Sequence, residues 1–463
     1  MKKINLLMIL VFVVQGFFTS CTSTPLSENN NISSIQEPQD PPNVLFVKQL
    51  QDKLNQNDLL GAIEHFQNIP DELKDDLDLK LLLASLYISF GDLDNSEKIA
   101  NEILVLNPEN LDALEILSMT YRAMNNSTKY KSILKQILVI DPYNVSANIT
   151  QAEDYALNKK YKLSRDSYRK ALQTEPNNID ALFGYAQMSY YLDDIDSAKT
   201  YFENILQIDS YHAPTLAYMG KLSAEDMNYL RATKYIQEAI KLDPTNYDYY
   251  LDLGDYFRNQ GKYAEAINAW TKATEIEPTY FLAYAYLAGC YDEQNEFDLA
   301  LENYHKVIQT NPKYYYAYEA AGVLEYRNKN FPVARQMFDK AYEYNKNYSY
   351  PLLNAAMYLQ EKDTFNAKKI LAALMKTMDK NSTEFQLVRF YHDSYSRNAE
   401  SLLISKIAKE DNSNKRGKLN FYMGLYNEIN GSDTIAKEFY VKVTNMQAPM
   451  FFEYRLAEWG IEK

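Results

Sequence analysis

Glycine is scarce in this chain of 463 residues, with only 13. That leaves no room for glycine-rich phosphate loops as an organising motif, and little for tight hairpins. Cysteine is scarcer still. Cys21 and Cys290 lie far apart in different contexts, so they support neither a disulfide framework nor a zinc pattern. The four histidines, His65, His212, His305 and His392, are scattered. None forms a His-x-x-x-His pair or neighbours a cysteine, so no metal, no cofactor and no catalytic residue is expected. An excess of basic residues is also missing: 48 Lys and Arg stand against 62 Asp and Glu, a net charge of −14. Without a basic stripe to displace counterions from phosphates, nucleic acid is not an expected partner. The apolar run from Ile4 to about Phe18 falls short of the ~20 residues that span a bilayer. What is plentiful is apolar residues, at 46%, and tyrosine, at 41 residues.

A regular punctuation organises the rest. Pro108, Pro142, Pro176, Pro244, Pro278 and Pro312 fall on a 34-residue grid, with Ser210 and Lys346 at the two remaining marks. The residue before each mark is Asn107, Asp141, Glu175, Asp209, Asp243, Glu277, Asn311 or Asn345. A fixed period in this range is the signature of stacked structural repeats.

The clearest copy is residues 247–280, "YDYYLDLGDYFRNQGKYAEAINAWTKATEIEPTY". Tyr250, Leu253, Gly254 and Phe257 mark one face of a first helix, and Ala266, Trp270 and Ala273 mark one face of a second. Gly261 supplies the turn between them, and Pro278 closes the unit. Each unit is therefore a helical hairpin that cannot bury its own face and must stack on neighbours. The order aromatic, Leu, Gly, aromatic, Ala, aromatic, Ala, Pro at these spacings resembles the tetratricopeptide repeat (TPR). Other copies share it, with Leu216, Gly220, Ala232 and Ala239 in one, and Tyr318, Gly322, Ala334, Phe338 and Ala341 in another. The resemblance implies an all-α, right-handed superhelical solenoid of about eleven antiparallel helix pairs with a C-terminal capping helix. Eight units run in strict register from residue 77, within an array that spans 44–348. A degenerate first unit is marked by Ala62 and Phe66. Divergent units and the capping helix fill 349–463, where Ala367 stands one place early.

The amino terminus reads as an address. Lys2 and Lys3, an apolar core and small polar residues make residues 1–20 a secretory signal. "FTSC" resembles a bacterial lipobox, although Phe18 and Ser20 stand where that pattern prefers Leu and Gly or Ala. The resemblance implies acylation of Cys21, whose several chains would hold the protein on a membrane. Residues 21–43 follow as the lipidated cysteine and a disordered tether, rich in Ser, Asn and Pro. The expected location is the bacterial cell envelope, facing the periplasm or the exterior.

The TPR resemblance also implies a concave partner-binding face on the first helices. Carried over residue by residue, it includes Asp180, Phe183, Gln187, Tyr190 and Tyr191, then Asp248, Asp255, Arg258 and Asn259. Asp292, Glu293, Tyr316, Glu319, Tyr326 and Arg327 follow. An acidic and aromatic face suits a protein or peptide partner with basic and apolar residues. The expected function is a membrane-anchored interaction scaffold. The alternative is a binding subunit for a small hydrophobic ligand or an envelope polymer, serving transport or assembly.

Overall fold

A computed structural model describes residues 41–393, 397–447 and 449–462. The signal, Cys21 and most of the tether lie outside these residues. Pro42 and Asn43, assigned above to the tether, instead open the first helix, Pro42–Asn55, because proline suits a helix's first turn. The described residues form twenty-five α-helices, the last of which stands alone, leaving twelve antiparallel pairs rather than about eleven. The chain divides into two compact units at Ser210 and Tyr211, where the grid lacks its proline. The first unit holds five hairpins and the second holds seven, followed by the helix Glu453–Glu462.

The turn inside each hairpin fixes the register. One residue per turn has positive φ: Asn57, Gly91, Asn125, Lys159, Asp193, Met227, Gly261, Asn295 and Lys329, each 34 after the last. At Gly261 the following amide closes a six-residue loop, Lys262 N–H to the Phe257 carbonyl at 2.9 Å, the bond that ends a helix in a left-handed cap. The next such residue is Lys362, one place early, and Gly431 returns to the original grid. The slip has a local cause. Helix Ser349–Gln360 has 12 residues where Phe281–Glu293 has 13, so its partner helix starts one residue sooner.

The same grid builds the core. Ala62, Ser96, Ser164, Ala198, Ala232, Ala266, Ala300, Ala334 and Ala436 are all buried at one position of the second helix. Four residues further on, one turn along the same face, Trp270, Phe202 and Phe338 are wholly buried. The Trp270 indole donates to the Leu251 carbonyl at 3.2 Å. A Cβ on Gly254 would lie 2.2 Å from that indole nitrogen, so the small residue on one helix is shaped by the large one on the other. Tyr250, Tyr284 and Tyr304 are only half-buried. Tyr249 and Tyr256 are the deeply buried tyrosines of helix Tyr247–Asn259, because that helix is covered on two sides and not along one stripe. In residues 349–462 tyrosine is core: Tyr350, Tyr391, Tyr422 and Tyr440 are enclosed, with the Tyr422 hydroxyl donating to the Ser349 carbonyl at 2.9 Å.

Candidate partner-binding face

In the first unit the first helices carry an acidic depression. Helices Leu111–Ala123 and Val145–Leu157, with the start of Ile179–Tyr191, surround a cavity of about 590 Å³. Its wall holds Glu115, Asp141, Glu153, Glu175 and Asp180 around a single guanidinium, Arg122, with Ile149 as an apolar contact. Arg122 is shared with Glu153 at 3.6 Å. Glu115 accepts from the Asn144 side chain at 3.0 Å, and burial pushes its carboxyl above the usual range. Of the residues assigned from sequence, Asp180 lines this depression. Ser146, Ile149 and Glu153 were missed, although they stand 34 residues before Asp180, Phe183 and Gln187. Stepping the same stripe back by one period would have found them.

Beyond Asp180 the stripe turns aromatic. Phe183 tilts against Phe202 at 5.9 Å, and Tyr191 stacks on Tyr161 at 5.1 Å and meets Tyr190 edge-on at 5.8 Å. Asp180 and Tyr191 are exposed, while Phe183, Gln187 and Tyr190 are half-buried.

In the second unit Asp248 and Asn259 are exposed and Asp255 and Arg258 half-buried on helix Tyr247–Asn259. Asp252, on the same stripe, was missed. Its carboxylate lies 3.5 Å from Lys221, and burial pushes its pKa up to about 6. Arg258 binds Glu293 through two nitrogens, so these two assigned residues are each other's partners. Tyr316 is exposed and stacks on Tyr315 at 4.0 Å.

Four of the assigned residues have partners within the fold. The Tyr326 hydroxyl accepts from Gln360 at 3.2 Å and its ring packs on Phe331. Glu319 accepts from the Tyr350 hydroxyl. Asp292 accepts from Arg455, and the Arg327 guanidinium sits 4.1 Å from the centre of the Phe297 ring. The causes differ: Gln360 and Tyr350 belong to the next hairpin and Phe297 to the preceding one, whereas Arg455 comes from the last helix, which a period of 34 cannot announce.

Among the described residues no group of three or more His, Cys, Asp and Glu side chains could hold a metal ion. No described helix is long and apolar enough to cross a membrane. Cys290 is buried, and burial raises its thiol pKa.

Sequence models of the tetratricopeptide repeat match residues 235–268 and 291–350, both within the stretch where hairpin turns keep the 34-residue grid. The chain carries tetratricopeptide repeats. A comparison with curated proteins finds no match. Solved structures similar to this TPR chain include MamA, at 26% identity over 35% of this chain and 94% of that one, with a TM-score of 0.33. YrrB, a TPR protein with an unusual peptide-binding site, is 20% identical over 39% of this chain and 93% of its own, with a TM-score of 0.34. A tetratricopeptide repeat protein from Parabacteroides merdae is 20% identical over 54% of this chain and 97% of its own, with a TM-score of 0.38.

Proposed function

We propose that this TPR protein is an interaction scaffold of the bacterial cell envelope, tethered to a membrane through acylated Cys21. Its first-helix face would hold a partner segment with basic and apolar residues. The observation that carries the reading is the depression of about 590 Å³, where five carboxylates outnumber one arginine and Ile149 offers apolar contact. A lysine or arginine entering it would gain charge-assisted hydrogen bonds to carboxylates already held in place. The neighbouring rings of Tyr190 and Tyr191 offer rigid contact area at little entropic cost.

Photo-crosslinking in cells tests this, with a crosslinkable residue replacing Ile149 or Tyr191 and, as control, the outward-facing Lys272. A discrete protein adduct from the first two alone is expected, and Glu153→Lys should abolish it. Equal adducts from the control, or adducts insensitive to Glu153→Lys, would remove this face as the binding site. Mass spectrometry of the mature amino terminus tests the anchor, since an unmodified start downstream of Cys21 excludes it.

The alternative, a binding subunit for a small hydrophobic ligand or an envelope polymer, has one observation in its favour. Tyr304, Tyr314, Tyr316 and Glu319 line a separate depression of about 360 Å³ in the second unit. A co-purifying small molecule in native mass spectrometry, lost on Tyr316→Ala, would establish it.

A further inference from the structure

The helix Glu453–Glu462 has two working faces. Glu453, Leu456, Ala457 and Gly460, spaced along one side, are buried. Gly460 meets Tyr440, whose ring a Cβ there would approach to 2.6 Å. On another side Arg455 and Trp459, one helical turn apart, reach back over 163 residues to the hairpin Phe281–Thr310. Arg455 donates from one nitrogen to the Asp292 carboxylate and from another to the Asp292 carbonyl at 3.2 Å. Trp459 meets Phe297 edge-on at 5.7 Å. Arg327 lies 4.1 Å from the Phe297 ring centre and 5.3 Å from that of Trp459, while Arg455 lies 5.2 and 4.7 Å from the same two rings. Two guanidinium groups and two aromatic rings thus form one cluster, a geometry in which each cation faces electron-rich rings.

This seat is shaped for its occupant, yet the occupant is not ideal. The second carboxylate oxygen of Asp292 is buried and accepts no hydrogen bond. Glu453 is wholly buried near the Ser349 and Tyr422 side chains and Lys418, and burial is the largest influence on its carboxyl, raising its pKa. Burying a carboxyl in this way penalises the docked helix. A helix with the same arginine and aromatic, but no acid two residues before the arginine, would sit in the same place without that penalty.

We propose that Asp292, Phe297 and Arg327 form a docking site for a partner helix that presents an arginine and a large aromatic residue one turn apart, and that the C-terminal helix holds this site in cis until such a helix replaces it. The proposal rests on reading the first-helix face as a recognition surface, and it adds the class of ligand and the occupant that must leave. The tethered helix competes at the high effective concentration of an intramolecular ligand, so a free helix must overcome it.

The test is a titration of a fluorescein-labelled peptide matching residues 449–463 into the full chain, read by anisotropy. Against the wild-type chain binding should be weak. Against a chain carrying Arg455→Ala and Trp459→Ala, which weakens the tethered competitor, it should be at least tenfold tighter. A peptide with Glu453→Gln should bind at least threefold tighter again, and one with Arg455→Ala and Trp459→Ala should not bind. Adding Phe297→Ala to the weakened chain should abolish binding. A weakened chain that keeps its helical circular dichroism but does not bind the peptide would overturn the proposal, as would binding indifferent to Phe297. Should the double variant fail to fold, Arg455→Lys with Trp459→Phe is titrated instead, and an affinity equal to that of wild type would overturn it. The crosslinks at Ile149 and Tyr191 probe other hairpins, so failure there and failure here are told apart.

Discussion

Hairpins of the first unit and those between residues 263 and 344 reach the same fold by different means. In the first unit Asp58, Asp76, Asp92, Asn110, Asn126, Asn144, Asn178 and Asp194 each cap a helix, accepting from the amide three residues on. In the second unit the helices starting at Tyr263, Phe281, Phe297, Tyr315 and Phe331 have no side-chain cap. Tyrosine occupies two of the capping positions, Tyr280 and Tyr314. The rings there join neighbouring hairpins: Tyr247 meets Tyr280 at 5.1 Å, and Phe281 meets Tyr314 at 5.1 Å. The Tyr247 hydroxyl even takes over a capping task, accepting from the Ala283 amide of the next hairpin at 3.0 Å. Most helix starts in the first unit are capped by a side chain a few residues away, whereas between residues 263 and 344 none is, and the Ala283 amide is taken by the neighbouring hairpin. The second kind should be the more cooperative, because a repeat array is a chain of nearest-neighbour terms and here those terms carry more.

The largest effect is expected from Trp270→Ala. Removing a wholly buried indole that also bonds to the Leu251 carbonyl should cost about 3–5 kcal/mol. Hydrogen exchange should show the loss spreading through the hairpins from 213 to 344, with residues 77–208 unchanged. Loss confined to residues 247–280 would mean that the aromatic contacts between hairpins do not couple them.

A smaller and more local effect is expected from Asn110→Ala. Asn110 accepts from the Ala113 amide at 2.8 Å, and loss of such a cap costs about 1 kcal/mol. Exchange should rise in helix Leu111–Ala123 and stay unchanged two hairpins away. A loss that spread along the whole first unit would erase the distinction drawn here.

Much of this was legible because the array is periodic. A 34-residue step placed the turn at Gly261 and the buried small residues Ala62, Ala232, Ala266 and Ala334, since each repeat meets the same local demands. What the step could not show are the places where the chain departs from nearest-neighbour contact. Arg455 on Asp292 is one contact across 163 residues, with no second copy to reveal it. Tyr326 was assigned to an open face for a different reason: Gln360, one period on, bonds its hydroxyl, an adjacent-repeat contact that spacing does not reveal. Asp252 was missed differently. An aspartate on a first helix reads as a solvated residue, and only its burial beside Lys221 shows otherwise.

The smallest effect is expected at Asp252. Eight helix starts in the first unit are capped by a side chain, whereas one buried carboxylate oxygen of Asp252 accepts no hydrogen bond and faces the Lys221 ammonium at 3.5 Å. Burial raises its pKa from 3.8 to about 6 in the folded chain. The folded state therefore binds more protons than the unfolded state between these values, and this group's contribution to stability falls as pH rises through them. Asp252→Asn removes that ionisation and leaves Lys221 partly solvated. The variant should match wild type in proton-linked stability below about pH 3.8, gain steadily up to about pH 6 and keep a constant advantage above it. Urea midpoints of the two chains across this range measure the difference. A flat difference would mean that Lys221 fully offsets the burial, and that this polar residue is as well satisfied as the caps of the first unit.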